Sequence, residues 1–346
     1  MATTDEKVRY SDAELEEFRA IIQEKLDQAI KDYELLKEAY TNDSNNGTDD
    51  TSPTFKAFEE GSETMSKEQN AQLAARQDKF IRDLKNALLR ISNKTYGICR
   101  VTGKLINKDR LKLVPHATLS IEAKNMQRYS SILKKVVLIT ILVLIIDQIS
   151  KFYVKTHFFL GEDVDVLGWF KIAFVENPGM AYGMHFGGET GKIVLSLLRI
   201  ALIGMIIYYI NAWSKKLNNN FFIIPIALVL AGAIGNVLDG IFYGVIFDKG
   251  TTYNEMFQDW VGYQGIAEPN FAGYSGWFTG CVVDMLYFPI VEFDWPSWIP
   301  IIGGQHYKFF QPVFNIADSA IFIGGLTLFL FRKKAFTTEN GVRLRF

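Results

Sequence analysis

The sequence has few of the residues that build disulfide frameworks, zinc sites or nucleophilic catalytic sites. Its 346 residues include two cysteines and four histidines. Two cysteines cannot form a disulfide framework, and no Cys-x-x-Cys pair is present for a structural zinc site. No histidine belongs to a His-Glu-x-x-His motif or stands near a candidate serine or cysteine nucleophile. The first nine residues include Asp5 and Glu6 and no apolar run, so we expect no signal peptide.

Charge is balanced overall but is divided unevenly along the chain. The formal net charge is -1, and residues 1–128 hold 21 of the 37 basic and 22 of the 38 acidic side chains. No part has the basic excess of a simple nucleic-acid-binding protein, so we expect no direct sequence-specific binding of nucleic acid. The division predicts two domains, the first in water and the second in a membrane.

The first domain is predicted to be a soluble α-helical hairpin. Apolar residues recur at helical spacing from Ser11 to Tyr40 and from about Ser62 to Ser92. The two stripes consist of Leu15, Phe18, Ile22, Ala29, Tyr33, Leu36 and Tyr40, and of Leu73, Phe80, Leu84, Ala87, Leu88 and Ile91. Thr41–Thr54 is polar and contains Gly and Pro, which predicts a loop that lets the helices pack antiparallel.

The second domain contains four apolar segments, each near the ~20 residues that cross a bilayer. They cover about residues 132–151, 193–213, 221–239 and 314–331. Basic clusters flank three of them, at Lys134–Lys135, Lys215–Lys216 and Arg332–Lys334. All three clusters lie on one side if both termini are cytoplasmic, which is the orientation we expect.

In this orientation the segments Lys151–Lys192 and Gly240–Val313 lie outside the membrane. Alternation of apolar residues in Trp169–Val175 predicts a strand there. The expected fold class is an all-α polytopic membrane protein with four transmembrane helices and a small extracytoplasmic β-structure, preceded by the soluble hairpin.

Carboxylates from separate segments are predicted to meet at the outer membrane boundary. Asp147 and Lys151 end the first span, Asp239 ends the third, Asp318 begins the fourth, and Asp284 lies in an external apolar run. An ionisable residue in a spanning segment is costly, and it usually marks a functional site.

Paired carboxylates at this boundary favour proteolysis by acid–base catalysis. Two close carboxylates share one proton, so that one can take a proton from water while the other donates to the scissile carbonyl. An ion- or proton-coupled carrier is the alternative, but carriers place such groups near the midplane between repeated halves, and no repeat is visible. A hard-metal site usually needs more oxygen ligands, so we expect no metal and no cofactor.

Five segments of the second domain resemble motifs of the lipoprotein signal peptidase (signal peptidase II) family, in the family's order. They are Ile146–Lys151 (IDQISK), Val175–Gly183 (VENPGMAYG), Gly232–Asp239 (GAIGNVLD), Val282–Met285 (VVDM) and Phe314–Asp318 (FNIAD).

This resemblance implies an intramembrane aspartic endopeptidase of the bacterial inner membrane. It would remove signal peptides from prolipoproteins, cleaving before a cysteine that carries a diacylglyceryl group. The family's catalytic aspartates fall on Asp284 and Asp318. Residues implied to bind substrate or to support the pair are Asn177, Asn236, Asp239, Asn315, Asp147 and Lys151. Membrane lipid and prolipoproteins are the implied partners, with the active site at the outer face.

Two departures from the family pattern stand beside these motifs. The family has arginine after the third-motif aspartate, where this chain has Gly240, so that a guanidinium is missing or another base replaces it. The chain also carries an insertion at about residues 248–280, between Asp239 and Asp284. Asp248 lies nearer the usual spacing, but Lys249–Gly250 follow it as in a wet turn, and we favour Asp284.

The first domain resembles the DksA/TraR transcription factors, from the helical pattern to the segment Tyr96–Ile106 (YGICRVTGKLI). Arg110–Leu111 and Pro115–Ala117 fit as well. Four cysteines hold zinc in that family, whereas this chain has Cys99 with Thr102, Ser120 and Ala123 at the other places. One thiolate does not make a structural zinc site, so we expect this knuckle to fold without metal.

Members of that family act on RNA polymerase through the hairpin tip, which makes RNA polymerase a partner of the first domain by resemblance. The alternative function is therefore a membrane-tethered transcription regulator. The expected organisation is a DksA/TraR-like cytoplasmic domain at 1–128, a signal peptidase II-like membrane domain at 129–336 and a cytoplasmic tail at 337–346.

Overall fold

The computed structural model describes residues 8–41, 53–179, 188–289, 291–300, 304–309, 312–338 and 341–344. The chain divides into two compact units, Met1–Gln127 and Arg128–Phe346. Most of the predicted loop Thr41–Thr54 and the end of the second motif, Met180–Gly183, lie outside the described residues.

The first unit is built on two long helices, α1 (Asp12–Thr41) and α2 (Pro53–Ser92), followed by the short α3 (Lys108–Leu113). Ser11 and Glu14 begin α1 with a capping box, in which the Ser11 amide donates to Glu14 Oε2 at 2.7 Å and the Glu14 amide donates to Ser11 Oγ at 3.3 Å. Helices α1 and α2 share one apolar core, which includes Phe18, Ile22 and Leu84.

Two details of the predicted second helix are wrong. Helix α2 begins at Pro53, earlier than the predicted Ser62. Leu73 is 46% exposed, whereas its neighbour Ala74 is buried, because the face of α2 that meets α1 runs through Ala74 and Ile81 at this end. The apolar pattern allowed either face, and the rotation of the helix decides between them.

The second unit contains the helices α4 (Ile121–His157, which begins in the first unit), α5 (Gly188–Ser214), α6 (Asn220–Ile246), α7 (Ile316–Leu330) and α8 (Arg332–Ala335). Among the described residues, α5 and α6 are long and apolar enough to cross a membrane. Helix α7 is apolar but has 15 residues. The other two predicted spans, about 132–151 and 314–331, therefore stay predictions.

Helices α6 and α7 approach closely because glycines face the partner helix. A Cβ on Gly232 would lie 2.1 Å from the Ala317 carbonyl oxygen, and a Cβ on Gly324 would lie 2.6 Å from that of Pro225. A larger residue at either position would push the helices apart. This close packing brings residues 232–236 of α6 beside the first turn of α7.

Among the described residues, three antiparallel sheets accompany these helices. Strands β1 (Asp163–Leu167), β2 (Phe170–Asn177), β5 (Val282–Tyr287) and β8 (Val313–Phe314) form one sheet in the order β1-β2-β5-β8. Strands β3 (Thr252–Asn254) and β4 (Asp259–Val261) form a second, and β6 (Val291–Asp294) and β7 (His306–Phe309) form a third. The strand predicted at Trp169–Val175 is present as β2. The pairing of β2 with β5 places Val175 opposite Asp284.

Candidate active site

Lys151 is the central cation of a buried polar cluster between α4 and α6. Its Nζ lies 2.9 Å from Asp147 Oδ2 and 2.7 Å from Asp239 Oδ2, and all three side chains are fully buried. Asp147 and Lys151 are four residues apart on α4, so they lie on one helix face. The cluster thus places two carboxyl groups around one ammonium group.

Gln148 and the start of α7 complete the bonding of these carboxylates. Gln148 Nε2 donates to Asp239 Oδ1 at 2.8 Å and to Asp147 Oδ2 at 3.2 Å, and its Oε1 accepts from the Tyr243 hydroxyl at 3.2 Å. The Ala317 amide donates to Asp147 Oδ1 at 2.9 Å. Asp147 therefore fixes the position of the first turn of α7 against α4.

Asn315 and Asp318 form the capping box of α7. The Asp318 amide donates to Asn315 Oδ1 at 2.7 Å, and the Asn315 amide donates to Asp318 Oδ2 at 3.4 Å. The unpaired amides of the first helical turn favour a negative charge at this place. The local sequence thus fixes the orientation of the Asp318 carboxylate.

Asp284 lies on β5, with apolar residues on both sides in the sequence. Its side chain is buried, and its Oδ1 accepts from Asn315 Nδ2 at 2.7 Å, while its Oδ2 accepts from Asn177 Nδ2 at 3.3 Å. Burial, reinforced by the charge of Asp318, raises the pKa of Asp284 to about 7. A substantial fraction of this carboxyl is therefore protonated at neutral pH.

Two amides connect Asp284 to Asp318. Asn315 Nδ2 donates to both Asp284 Oδ1 and Asn236 Oδ1, and Asn236 Nδ2 donates to Asp318 Oδ1 at 2.7 Å. Lys151 Nζ also donates to Asn236 Oδ1 at 3.0 Å. Because this oxygen receives two donors, the Asn236 amide nitrogen is oriented towards Asp318.

All eight residues selected from the sequence belong to this one hydrogen-bonded network, which joins α4, β2, α6, β5 and the start of α7. Asp248 does not join it among the described contacts. Its Oδ1 accepts from the Glu268 amide at 2.7 Å within the external insertion, as expected of a turn residue.

Gln148, Tyr243 and Arg199 were not among the site residues predicted from the sequence. Gln148 follows Asp147 directly, and its position inside the first motif was the signal that could have identified it. Arg199 lies on α5, and its Nη2 is 4.0 Å from the place of a Cβ on Gly179, in the turn after Asn177. Its signal was its place as a lone charge inside an apolar segment.

The arrangement offers acid–base chemistry between two carboxyl groups, one of which titrates near neutrality. No group of three or more histidine, cysteine or acidic side chains among the described residues is arranged to hold a metal ion. The carboxylates of the network are satisfied instead by an ammonium group, amides and backbone N–H groups.

Two comparisons concern the first unit. Residues 94–125 match the family model described as prokaryotic dksA/traR C4-type zinc finger. A solved structure of the transcription factor DksA2 from Pseudomonas aeruginosa is 27% identical, covers 33% of this chain and 83% of that chain, and has a TM-score of 0.30.

The residues of this chain do not fit the zinc ion that the name of this family model implies. Cys99 is buried and its sulfur accepts from the Ser120 amide at 3.3 Å. Ser120 Oγ accepts from the Ala123 amide at 3.1 Å, and Ala123 itself is a core residue without a ligand atom. These contacts connect the two halves of the knuckle where thiolates would bind the metal.

The other comparisons concern the second unit. Residues 139–332 match the family model described as signal peptidase (SPase) II. The curated lipoprotein signal peptidase of Porphyromonas gingivalis is 43% identical over 196 residues, which are 56% of this chain and 81% of the relative. That of Amoebophilus asiaticus is 34% identical over 57% of this chain and 76% of the relative.

A solved bacterial membrane enzyme, determined by the in meso method at 1.9 Å resolution, is 24% identical, covers 57% of this chain and 92% of that chain, and has a TM-score of 0.36. The family model spans more than half of the chain, and the Porphyromonas gingivalis relative is covered over most of its length. The chain therefore belongs to the signal peptidase II family.

Proposed function

We propose that the chain is an aspartic endopeptidase, with Asp284 and Asp318 as the catalytic pair. Its substrates are prolipoproteins that carry a diacylglyceryl group, and it cleaves before the lipidated cysteine. Membership of the signal peptidase II family supports removal of signal peptides from prolipoproteins in the bacterial inner membrane. The observation that carries the aspartic mechanism is the bonded series Asp284–Asn315–Asn236–Asp318.

In this mechanism the two carboxyl groups have different roles. Asp284, whose pKa is about 7, holds the proton and donates it to the scissile carbonyl oxygen. Asp318 accepts from Asn236 and lies in the first turn of α7, and it takes a proton from the attacking water. The proton count of the pair is thus conserved across the step.

Lys151, Asp147 and Asp239 support the pair without contacting it directly. Lys151 donates to Asn236 Oδ1, and Asp147 accepts from the first turn of α7. Asn177 and Asn315 hold the Asp284 carboxyl between them. Each of these contacts fixes the orientation of a group that touches the pair.

The proposed membrane arrangement has four spans, about residues 132–151, 193–213, 221–239 and 314–331, with both termini cytoplasmic. Two of them correspond to α5 and α6. The basic clusters at Lys134–Lys135, Lys215–Lys216 and Arg332–Lys334 support this orientation. The aspartate pair would then lie at the outer face, where the diacylglyceryl chains of a substrate can remain in lipid.

The alternative, a membrane-tethered regulator that binds RNA polymerase, is not favoured. A segment that served only as an anchor would not need the buried network around Lys151, Asp239 and Asn315. Burial of polar groups in a spanning segment costs free energy, and such groups are retained where they have a function.

Substitution of the two aspartates tests the aspartic mechanism. Asp284→Asn and Asp318→Asn are each expected to abolish processing of a diacylglyceryl-modified prolipoprotein in membranes, because an amide cannot exchange the shared proton. Asp248→Asn is the matched control, since it removes a carboxylate from outside the network and should retain the normal rate. Normal turnover by either catalytic variant, with correct insertion, contradicts the assignment.

A further inference from the structure

Arg199 is the one charged residue between Lys192 and Lys215, in the apolar helix α5. A lone arginine in a segment that can span a membrane is costly unless it faces a polar region. Here its guanidinium Nη2 lies 4.0 Å from the place of a Cβ on Gly179, in the turn that follows Asn177. The guanidinium therefore lies on the side of α5 that faces the candidate active site.

Other groups already hold the carboxylates of this site. Lys151 and Gln148 bind Asp239, Asn236 binds Asp318, and Asn315 and Asn177 bind Asp284. In the part of the chain that the structure describes, Arg199 makes no ion pair with any of them, and it is only partly buried. A guanidinium has five N–H donors, so this one can still bind an oxygen of another molecule.

The guanidinium of Arg199 lies close to the turn that follows β2. Arg199 Nη2 lies 4.0 Å from the place of a Cβ on Gly179, whose amide donates to Asn177 Oδ1 at 2.9 Å. Asn177 in turn donates to Asp284. The same Cβ would lie 2.9 Å from Leu195 on α5, so this turn approaches α5 as only glycine allows. Arg199 thus lies beside the turn that orients Asp284.

Helix α6 supplies no cation at this place. Gly240 follows Asp239 and faces α5, where a Cβ would lie 3.6 Å from Ser196 Oγ, an ordinary contact distance. Ser196 lies three residues before Arg199, so both are on the same face of α5. Arg199 therefore lies on the face of α5 that meets Gly240, one turn away from Ser196.

We propose that Arg199 binds the scissile carbonyl oxygen of the substrate and polarises it while Asp284 transfers its proton. An arginine side chain stays protonated in proteins, so Arg199 acts through its charge and its hydrogen bonds alone. This inference rests on the proposed function, because it requires a peptide carbonyl placed between Asp284 and Asp318. It makes Arg199 a catalytic residue that the family motifs of this chain do not include.

The test measures kcat and KM separately with a purified diacylglyceryl-modified prolipopeptide in lipid. Arg199→Gln is expected to lower kcat by about 10²–10³-fold with little change in KM, as for loss of a donor to a developing oxyanion. Arg199→Lys keeps the charge without the planar guanidinium, and its kcat is expected to lie between that of the unchanged chain and that of Arg199→Gln. Leu198→Ala, on the exposed side of the same turn, is the control and should retain the normal kcat.

A second-site variant tests the location of the charge. Arg199→Gln combined with Gly240→Arg is expected to recover at least about tenfold in kcat over Arg199→Gln, by restoring an electrostatic donor from the facing helix. A merely structural role would change the thermal midpoint of Arg199→Gln and would not be rescued from α6. If Arg199→Gln does not insert, Arg199→Lys carries the test, and an unchanged kcat for that variant overturns the proposal.

The outcomes separate this inference from the proposed function. Normal activity of Asp284→Asn or Asp318→Asn refutes the aspartic mechanism, whatever Arg199 does. If both aspartate variants are inactive while Arg199→Gln keeps its kcat, or changes KM alone, only the role of Arg199 is overturned.

Discussion

The two units of the chain differ in whether they bury polar and charged side chains. The first 128 residues hold more than half of the charged side chains, yet every buried polar or charged side chain among the described residues lies in the second unit. The core of the first unit consists of apolar residues, such as Phe18, Leu84 and Ile106. The first unit thus keeps its charged side chains out of its core, whereas the second unit buries some of its charged side chains.

This difference separates charges that keep a surface in water from charges that cost free energy to retain. The exposed pair Lys94–Asp12 is 3.0 Å long and stays hydrated, so it adds little to stability. Lys151 forms pairs of similar length with Asp147 and Asp239, but desolvation of all three groups opposes folding. Groups of the second kind are retained where chemistry requires them, which makes burial of charge the more informative signal.

The largest expected effect comes from removing a lysine from each pair. Lys151→Met leaves two buried carboxylates without their cation, and it is expected to destabilise the second unit by about 3–5 kcal/mol. Lys94→Met, the matched change in the first unit, should leave the thermal midpoint unchanged within error, because Asp12 remains in water. Thermal unfolding of the two full-length variants in detergent measures both.

A rescue variant checks the cause of the Lys151 effect. Lys151→Met combined with Asp239→Asn should recover part of the lost midpoint, since it removes one unpaired charge. Equal midpoints for Lys151→Met and Lys94→Met would contradict the distinction between the two units.

The pH dependence of activity sharpens the comparison further. The hydrogen bond from Lys94 and its charge lower the pKa of the exposed Asp12, whereas burial and the charge of Asp318 raise the pKa of Asp284 to about 7. Below that pH Asp284 keeps the proton that it must donate, and above that pH Asp284 loses it. We therefore expect kcat/KM to fall by about tenfold per pH unit above 7.

Initial rates across a pH series, with insertion and substrate solubility checked at each pH, measure this profile. A rate that stays constant well into the alkaline range would exclude Asp284 as the proton donor.

The sequence indicated which aspartates form the polar cluster, because Asp147, Asp239 and Asp318 each lie near an end of an apolar segment. Their meeting was expected from the predicted lengths and directions of those segments. The capping box of Asn315 and Asp318 is likewise a local pattern, which needs no tertiary information.

The remaining contacts could not be read from the sequence because they depend on helix rotation and close approach. Whether Arg199 faces the aspartates or lipid is decided by how α5 packs, because the short polar face of Ser196 and Arg199 does not by itself show which neighbour it meets. The exposure of Leu73 in the first unit has the same origin. Sequence periodicity identifies a face only when the opposite face is polar.

The smallest expected effect is that of removing the first unit altogether. Every residue of the proposed site follows Ile146, and the hydrogen bonds described for the site join residues of the second unit. The apolar core of the first unit is formed by residues between Tyr10 and Ala123.

A shortened chain of Arg128–Phe346, preceded by an initiating methionine, should therefore insert and process prolipoprotein at close to the full-length rate. This boundary keeps two hydrogen bonds between the remaining part of α4 and the C-terminal end of α5. Arg128 Nη2 donates to the Lys215 carbonyl at 3.2 Å, and the Tyr129 hydroxyl donates to Asn211 Oδ1 at 2.9 Å. The basic residues Lys134 and Lys135 also remain to direct orientation. Processing rates per inserted molecule, compared with Asp284→Asn in the same shortened chain as the inactive control, measure the effect. A shortened chain that inserts correctly but does not cleave would show that catalysis depends on the first unit, and the separation of the two units drawn from their buried charges would then not extend to function.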